Sequence, residues 1–212
     1  MGLVLHVGNR RISSWSLRAY LALAHSGLPF ETTTFLLDQS ATRTEIAKVS
    51  PAGRVPVLQH DGLTVWDSLA ICEYVNELAP TALLWPADPH TRARARTISA
   101  EMHSGFPALR RDMPMDLVAD RTGEGHTPDA LADARRIFAI WRDALAASGG
   151  PFLFGSFGIA DAMFAPVTTR FTTYGVELDA QARTYVEAVA ALPAMQAWRE
   201  GARGEPERPD HA

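Results

Sequence analysis

The sequence predicts an α/β domain with a mixed four-stranded sheet, followed by an all-helical domain. Three observations lead to this prediction. The first 79 residues alternate between strand-like and helix-like patterns in the order βαβ, connector, ββα. A stretch with three prolines at 80–89 then interrupts the pattern, and beyond it only helical periodicity is found. The length of 212 residues is enough for two small domains and a sizeable core.

The chain opens with a β-α-β unit. Residues 3–7 alternate and are rich in strand-forming side chains, which predicts a buried first strand. Ser13 and Ser14 precede a helix with a regular apolar stripe, and this helix is predicted to end at Gly27. Residues 30–35 then form the second strand. Because a helix connects the two strands, we expect them to pair in parallel.

A β-hairpin and a helix complete the first domain. Residues 37–50 are polar and irregular, so they form a connector. A strand at 55–59 and its partner at 63–66 are joined by an Asp-Gly turn, a sequence typical of tight hairpins. Asp67 and Ser68 then open an amphipathic helix. This order of elements is a thioredoxin-like layout, with helices packed on a mixed sheet.

We place the first domain at 1–79, a linker at 80–89 and the helical domain at 90–212, with a frayed tail from about residue 201. The tail is polar, contains Gly and Pro and has no apolar period. Apolar residues at helical spacing predict the helices of the second domain. These helices lie at 90–112, 129–147, 159–174 and 180–191.

Composition excludes several classes of function. The net charge is −4, which argues against a nucleic-acid partner, and no apolar run is long enough for a membrane span. Cys72 is the only cysteine, so the sequence has no intrachain disulfide, no CxxC redox pair and no cysteine-rich zinc site. The seven histidines show no ligand spacing, so we expect no metal. The cytoplasm is the expected location.

The serines at the start of the first helix allow two interpretations. Serine before an apolar-periodic run commonly caps a helix, and capping alone would explain Ser13 and Ser14. In a thioredoxin-like unit, however, this helix start lies at the ligand-binding edge of the sheet, where the helix dipole favours an anion. A thioredoxin carries CxxC at this place. A serine hydroxyl there can still donate a hydrogen bond to the thiolate of a ligand.

Two further pairs of residues have similar alternatives. Val55-Pro56 could mark an edge strand or bulge, or a cis-proline that leaves the Val55 backbone free to pair with a peptide-like ligand. Asp67 and Ser68 could simply cap their helix. They could also bind the two ends of an amino acid, with Ser68 and the helix start holding the carboxylate and Asp67 the ammonium.

Together these signals describe one ligand, with an amino-acid head, a peptide middle and a thiol. Glutathione has that shape. The segments at 13–18, 53–58 and 67–74 resemble those of glutathione S-transferases, and the resemblance runs from Leu3 to about Trp198. The serine segment is similar to the Ser-Ser-Cys-Ser-Trp-Arg motif of the zeta class, which suggests a zeta-like bacterial member of this family.

Three positions depart from the zeta pattern. Trp15 replaces the motif's cysteine, Leu17 replaces its tryptophan, and Asp67 stands where zeta enzymes usually have glutamine. In the second domain, Gly158 and Asp161 resemble the family's capped core helix, although the family normally has Ser or Thr at the cap. The resemblance makes Asp161 a folding residue rather than a catalytic one.

The resemblance implies a mechanism in which a serine stabilises the glutathione thiolate. We expect Ser13 to donate to sulfur, with Ser14 as the alternate, and Trp15 to shield the sulfur. Arg18 would either supply a positive field or pair with an acid. A small hydrophobic electrophile would bind between the domains, near residues at helical spacing in the second domain. These substrate-binding candidates are Met102, His103, Phe106 and Arg110. The spacing of Met102 and Phe106 fits core residues equally well, whereas the polar His103 and Arg110 are the better candidates to face a substrate.

The leading hypothesis is therefore a cytoplasmic, homodimeric glutathione transferase involved in detoxification. Dimerisation is what the family implies. The first alternative is a glutathione-dependent cis–trans isomerase of the maleylacetoacetate type. A second alternative, from another class, is a non-catalytic carrier or structural protein with the same fold.

Overall fold

The computed structural model describes residues 2–37, 39 and 41–205. Its sheet has four strands in the order β2-β1-β3-β4. The strands are β1 (Leu3–Gly8), β2 (Phe30–Phe35), β3 (Val57–His60) and β4 (Leu63–Val65). As predicted, β1 pairs with β2 in parallel, and it pairs with β3 antiparallel. The mixed sheet therefore has one crossover and one hairpin, which confirms the predicted fold of the first domain.

Helices pack on this sheet and extend into a helical second part. The sheet helices are α1 (Ser14–Ser26), α2 (Thr42–Ala47) and α3 (Ser68–Leu78), followed by a 3-10 turn at Pro80–Ala82. The second part contains α4 (Pro89–Ser104), α5 (Pro107–Asp112), α6 (Pro128–Ser148), α7 (Ile159–Tyr174), α8 (Ala180–Ala190) and α9 (Pro193–Arg203). No helix within the described ranges combines the length and apolar character needed to cross a membrane.

The helix predicted over 90–112 is broken into α4 and α5. The break lies at Gly105 and Phe106, and Phe106 has a left-handed backbone with φ of 62°. Pro107 follows directly, and a proline disfavours helical geometry in the residue before it. A side chain at Gly105 would come within 2.7 Å of the Glu101 carbonyl oxygen. The chain can therefore turn sharply here, which the apolar spacing did not indicate.

Two short helices were not predicted. The connector at 37–50 contains α2, whose only buried residue is Ile46, so its periodic signal is weak. The tail was expected to fray from about residue 201, but α9 continues to Arg203. Met195, Trp198 and Ala202 form its buried stripe at helical spacing, a signal that the sequence carried and the prediction did not use. Residues 206–212 lie outside the described part of the chain.

A single hydrophobic core extends through both parts of the molecule. Helix α7 is its centre, since nearly all of its residues are buried, and it packs against α1 of the first domain and α4 of the second. The start of α1 is thereby held at a fixed position relative to the helical domain. This arrangement places the predicted serines close to where the two domains meet.

Candidate functional site

A cavity of about 240 Å³ opens beside the start of α1. Its walls combine residues from the α1 start, the loop before β3 and the loop before α3. They are Trp15, Ala52, Arg54, Val55, Pro56, Trp66, Asp67 and Ser68. All five residues predicted to bind glutathione (Trp15, Val55, Pro56, Asp67 and Ser68) line this one cavity. Segments that are about 40 to 50 positions apart in sequence are thus brought together by the sheet.

The Val55-Pro56 peptide bond is cis. Strand β3 begins only at Val57, so the backbone of Val55 lies outside the strand pairing. Pro56 is buried, and Val55 is half-buried at the cavity wall. The backbone of Val55 is therefore placed where an extended ligand could pair with it, as in strand addition.

Asp67 and Ser68 form the opposite wall at the start of α3. One Asp67 carboxylate oxygen, Oδ1, accepts a hydrogen bond from the Leu69 amide at 3.1 Å, which caps the helix. The buried Ser68 hydroxyl has no hydrogen-bond partner among the described residues. A buried hydroxyl without a partner is costly, and a ligand carboxylate at this helix start would satisfy it.

The two serines at the start of α1 differ in their hydrogen bonds. Ser13 is the N-cap residue, and its hydroxyl donates to the Ser16 Oγ at 2.8 Å rather than to the helix backbone. Ser16 Oγ also accepts from the Gly8 amide at 3.0 Å. Ser14 is buried at the first helical position, and its hydroxyl makes no hydrogen bond to any described residue. The Ser14 hydroxyl therefore has no partner in the described structure, whereas that of Ser13 is engaged with Ser16. Neither serine is among the residues that line the cavity.

Trp15 is surrounded by cationic and aromatic side chains. The Arg18 guanidinium carbon lies 4.5 Å from the centre of the Trp15 ring, and that of Arg110 lies 5.0 Å from it. The His103 ring meets Trp15 edge-on at 5.1 Å. Cations near an indole ring are stabilised by its negative face. Positive charge is therefore concentrated behind the tryptophan that lines the cavity.

Arg18 is fully buried, and none of its three guanidinium nitrogens has a hydrogen-bond partner in the described structure. Burial lowers the pKa of Arg18 well below its ordinary value, and the charges of Arg110 and Arg170 lower it further. The expected alternative, in which Arg18 pairs with an acid, is not what the described residues show. The charge of Asp67 acts on Arg18 only from a distance.

His103 joins the helical domain to the cavity. Its Nε2 lies 3.1 Å from Oδ2 of Asp67. Both oxygens of Asp67 therefore have neighbours, one from the α3 backbone and one from α4. The sequence placed His103 toward the electrophile, but the structure places it against the residue expected to hold the ligand's ammonium.

The other electrophile-binding candidates lie elsewhere. Met102 and Phe106 are both buried in the hydrophobic core, which is the alternative that their helical spacing left open. Arg110 is half-buried, and its guanidinium donates to the carbonyl oxygens of Gly105 and Met102 in addition to contacting Trp15. Arg110 thus supports the end of α4 as well as the cavity wall.

Two buried titratable residues outside the cavity have structural positions. Burial raises the pKa of the Cys72 thiol to about 12, so this cysteine stays protonated and unreactive. Asp161 accepts hydrogen bonds from the Leu153 and Gly158 amides at 3.0 and 2.9 Å. These bonds tie the start of α7 to the preceding loop. No group of three or more His, Cys, Asp or Glu side chains in the described ranges is arranged to hold a metal.

Sequence reasoning missed three residues of the cavity wall. Ala52 and Arg54 precede Val55, and Trp66 precedes Asp67. Each lies within three positions of a predicted binding residue, and this proximity in sequence was the only indication that it would line the cavity. Trp66 is 44% exposed although it is large and apolar. Its peptide bond with Asp67 is cis.

Comparison with family models now identifies the fold. Residues 12–78 match the model of the N-terminal domain of glutathione S-transferases, and residues 91–201 match that of the C-terminal domain. The chain belongs to the glutathione S-transferase family. The family predicted from the serine, Val-Pro and Asp-Ser segments is thereby confirmed.

Individual relatives agree with this assignment. Maleylacetoacetate isomerase of Rattus norvegicus is 31% identical over 170 residues, which cover 78% of this chain and 77% of that protein. A probable maleylacetoacetate isomerase of Caenorhabditis elegans is 36% identical over 106 residues, so this chain spans about half of its length (49%). These relatives confirm the similarity to the zeta class.

A solved structure is similar along the whole chain. It is a glutathione transferase homologue from Burkholderia with bound glutathione, and it is 30% identical with a TM-score of 0.75. The match covers 97% of this chain and 100% of that chain. The two-domain fold predicted from the sequence is therefore shared with a glutathione-binding protein.

Proposed function

We propose that this member of the family is a glutathione transferase that binds reduced glutathione in the cavity and directs its thiolate at a small hydrophobic electrophile. The observation that carries the proposal is the convergence of Trp15, Val55, Pro56, Asp67 and Ser68 on one cavity. In the proposed complex, Ser68 and the start of α3 hold the γ-glutamyl carboxylate and Asp67 holds the ammonium. The Val55 backbone pairs with the cysteinyl residue, which directs the thiol toward α1.

The protein's contribution to the chemistry is to favour the thiolate over the thiol. A free thiol has a pKa of about 8.5, so only a few per cent is ionised at neutral pH. Lowering that pKa to about 6.5 corresponds to roughly 2.7 kcal/mol of thiolate stabilisation. A serine hydroxyl donor, the positive end of α1 and the cations behind Trp15 all act in this direction. The thiol proton leaves to solvent, since serine is too weak a base to accept it.

Two arrangements of the hydroxyl donor are open. In the first, Ser14 donates directly, because its hydroxyl is free. In the second, the direction of the Ser13–Ser16 hydrogen bond is reversed, so that the Ser16 hydroxyl donates to Ser13 Oγ and the Ser13 hydroxyl donates to sulfur. The chain of hydrogen bonds then starts at the Gly8 amide, which donates to Ser16 Oγ. Hydroxyl protons can rotate between such arrangements, and a chain of hydroxyls polarises along its length.

Single substitutions to alanine at Ser13, Ser14 and Ser16 test the proposal. The rate of glutathione conjugation to a chloronitroaromatic electrophile is measured for each variant. Direct donation predicts a loss of about 10²-fold for Ser14→Ala alone. The hydroxyl chain predicts that Ser13→Ala loses most activity and Ser16→Ala part of it, with Ser14→Ala close to wild type. If all three variants keep full turnover, the serine mechanism is wrong.

A glutathione-dependent cis–trans isomerase is the second candidate, and the names of the rat and nematode relatives favour it. Thiolate addition to a cis double bond, rotation and elimination would need the same thiolate and return glutathione unchanged. Turnover of maleylacetoacetate, or of a close analogue, is compared with that of chloronitroaromatic electrophiles. Much faster isomerisation would make isomerase the correct assignment. If neither reaction occurs while glutathione binds, the non-catalytic carrier hypothesis is favoured.

We further propose that the protein acts in detoxification as a homodimer in the cytoplasm. Exposed apolar residues on the β4 hairpin support a partner surface there, since Leu63 is 48% exposed and Trp66 is 44% exposed. The lone cysteine is consistent with a reducing compartment. Light scattering of the purified protein should give twice the mass of one chain. A monomer at micromolar concentration would contradict the dimer.

A further inference from the structure

The centre of the loop that leads from β1 to the serines is bonded to the helical domain. Its two central residues are Arg10 and Arg11. All four of their backbone polar groups find partners in the second half of the chain. A loop of this kind normally relies on local turns or on solvent for these bonds.

The C-terminal segment makes three of these four bonds, through Trp198 on α9 and through Glu205, which lies two residues after α9 ends. The Glu205 carboxylate accepts hydrogen bonds from the Arg10 amide at 2.7 Å and from the Arg11 amide at 3.0 Å. The Trp198 indole donates to the Arg10 carbonyl oxygen at 2.8 Å. The fourth partner is the Leu117 amide, which donates to the Arg11 carbonyl oxygen at 3.1 Å.

The side chains of the two arginines reinforce these bonds. The Arg10 guanidinium lies 5.6 Å from the centre of the Trp198 ring, and a side chain at Gly201 would collide with it at 2.0 Å. Arg11 forms a bidentate ion pair with Asp116 at 2.8 and 3.0 Å. Bidentate arginine–carboxylate pairs fix orientation as well as distance. The loop is therefore held on its backbone and on both side chains.

The held loop is continuous with the proposed catalytic serines. The Asn9 carbonyl oxygen accepts from the amides of Ile12 and Ser13, at 3.3 and 2.8 Å. This tight turn transmits the position of Arg10 and Arg11 directly to the start of α1. A displacement of about 1 Å at a reacting group can cost up to 10²-fold in rate.

We propose that Glu205 is a positioning residue, which fixes the serine hydroxyls against the glutathione sulfur by clamping the backbone of Arg10 and Arg11. This inference rests on the proposed function of the cavity. The glutathione backbone is held by Val55, Asp67 and Ser68, none of which touches the clamp. Loss of Glu205 therefore alters thiol activation and leaves glutathione affinity nearly intact.

Glu205→Ala in the full chain tests the clamp, and Glu200→Ala is the matched control. Glu200 lies on α9, five positions before Glu205, and forms an exposed ion pair with Arg203 at 2.9 Å. We expect Glu205→Ala to raise the pKa of the bound glutathione thiol. This pKa is measured from the absorbance of the thiolate as a function of pH. We also expect a fall in kcat of about tenfold and a dissociation constant for glutathione within about twofold of wild type. The control variant should match wild type in all three measurements.

Amide hydrogen exchange over residues 9–14, in the absence of glutathione, measures how firmly Glu205 holds the backbone of this loop. Exchange of the Arg10 and Arg11 amides should accelerate in Glu205→Ala, because water replaces a fixed acceptor. If exchange, thiol pKa and kcat are the same in Glu205→Ala and Glu200→Ala, the proposal is overturned. Failure of the wild-type protein to bind glutathione is a different result. It would overturn the proposed function, and the positioning role with it, whatever the exchange data show.

Discussion

Arg18 places a positive charge in the interior, next to the tryptophan that lines the cavity. Its guanidinium has no hydrogen-bond partner among the described residues and contacts the Trp15 ring at 4.5 Å. An uncompensated buried charge destabilises a fold. Its field is only weakly screened, however, so it can stabilise a thiolate in the adjacent cavity. We therefore interpret Arg18 as a source of positive field rather than as a member of an ion pair.

Arg18→Met is expected to separate activity from stability. The pKa of the bound glutathione thiol should rise and turnover should fall, because the nearby charge is gone. The free energy of unfolding should stay the same or increase, since a long apolar side chain replaces an unpaired charge. Thiolate absorbance against pH and urea denaturation measure the two effects.

Arg170→Met is the matched comparison for Arg18→Met. Arg170 is also buried, but it donates to the carbonyl oxygens of Met113 and Pro166 at 2.9 and 3.3 Å. Its loss leaves these acceptors without a donor, so this variant should be less stable by about 1–3 kcal/mol. A large loss of stability in Arg18→Met with an unchanged thiol pKa would contradict the field interpretation.

Individual site residues were predictable where a local pattern carried the information. Val55-Pro56 and Asp67-Ser68 are adjacent pairs with unusual backbone chemistry, and both lie at the cavity as predicted. The position of Met102 could not be predicted in the same way. Helical spacing shows that a residue lies on an apolar stripe, but not whether that stripe faces the core or a ligand. The lack of a hydrogen-bond partner for the Arg18 guanidinium among the described residues depends on where the acidic side chains lie in the folded protein. A single sequence does not give those positions.

The start of α7 shows how an element's cap depends on its surroundings. The family pattern favours Ser or Thr at this cap, and this chain has Gly158. A side chain there would come within 2.6 Å of the Leu84 carbonyl oxygen, which also accepts from the Ile159 amide at 2.9 Å. Glycine is therefore required by the close approach of the loop before α4. The Asp161 carboxylate still accepts from the Gly158 amide, which is the half of a capping box that needs no side chain at the cap position.

Gly158→Ser should destabilise the protein, although serine is the better cap in isolation. The expected loss is about 1–3 kcal/mol from the forced shift of Leu84, which exceeds the gain of about 1 kcal/mol from a capping hydroxyl. Gly158→Ala introduces the collision without the hydroxyl and isolates its cost. Denaturant titration measures both variants. A Gly158→Ser protein more stable than wild type would show that the loop yields at little cost.

Asp161 makes the stability of the same helix start depend on pH. Burial raises its pKa to about 7 from the ordinary value of 3.8. Between these values the unfolded chain releases a proton that the folded chain retains, so stability falls as the pH rises from about 4 to about 7. Asp161→Asn cannot ionise, and its stability relative to wild type should increase over that range. Parallel stability curves for the two proteins would contradict this prediction.

At the scale of elements, helices and strands could be predicted wherever the apolar periodicity extended over most of the element. Strands β1 and β2, and helices α1, α3, α6, α7 and α8, agree with prediction, because each buries a continuous stripe or face. Helix α9 was not predicted although its buried residues have helical spacing, and its anchoring to the first domain is tertiary. Trp198 and Glu205 bind the β1–α1 loop about 190 positions earlier. The break between α4 and α5 was missed because apolar spacing continues across it.

At the scale of the whole molecule, the residues that line the cavity all belong to the first domain, and two residues of the second domain contact them. His103 of α4 contacts Asp67, and Arg110 of α5 contacts Trp15. The C-terminal segment holds the loop before the serines. The second domain therefore contributes contacts and charge to residues that we propose bind glutathione. This dependence explains why the site could be located, but not completed, from the first third of the sequence.

Calorimetric titration of reduced glutathione into the wild-type protein and two serine variants tests the central claim most directly. Wild type should bind at one site with micromolar to low-millimolar affinity. Ser68→Ala should weaken binding by about 1–3 kcal/mol. Ser99→Ala is the matched control, because Ser99 also has a buried hydroxyl without a partner among the described residues but does not line the cavity. Absence of binding at several millimolar, or equal affinity in Ser68→Ala and wild type, would contradict the assignment of this cavity to glutathione.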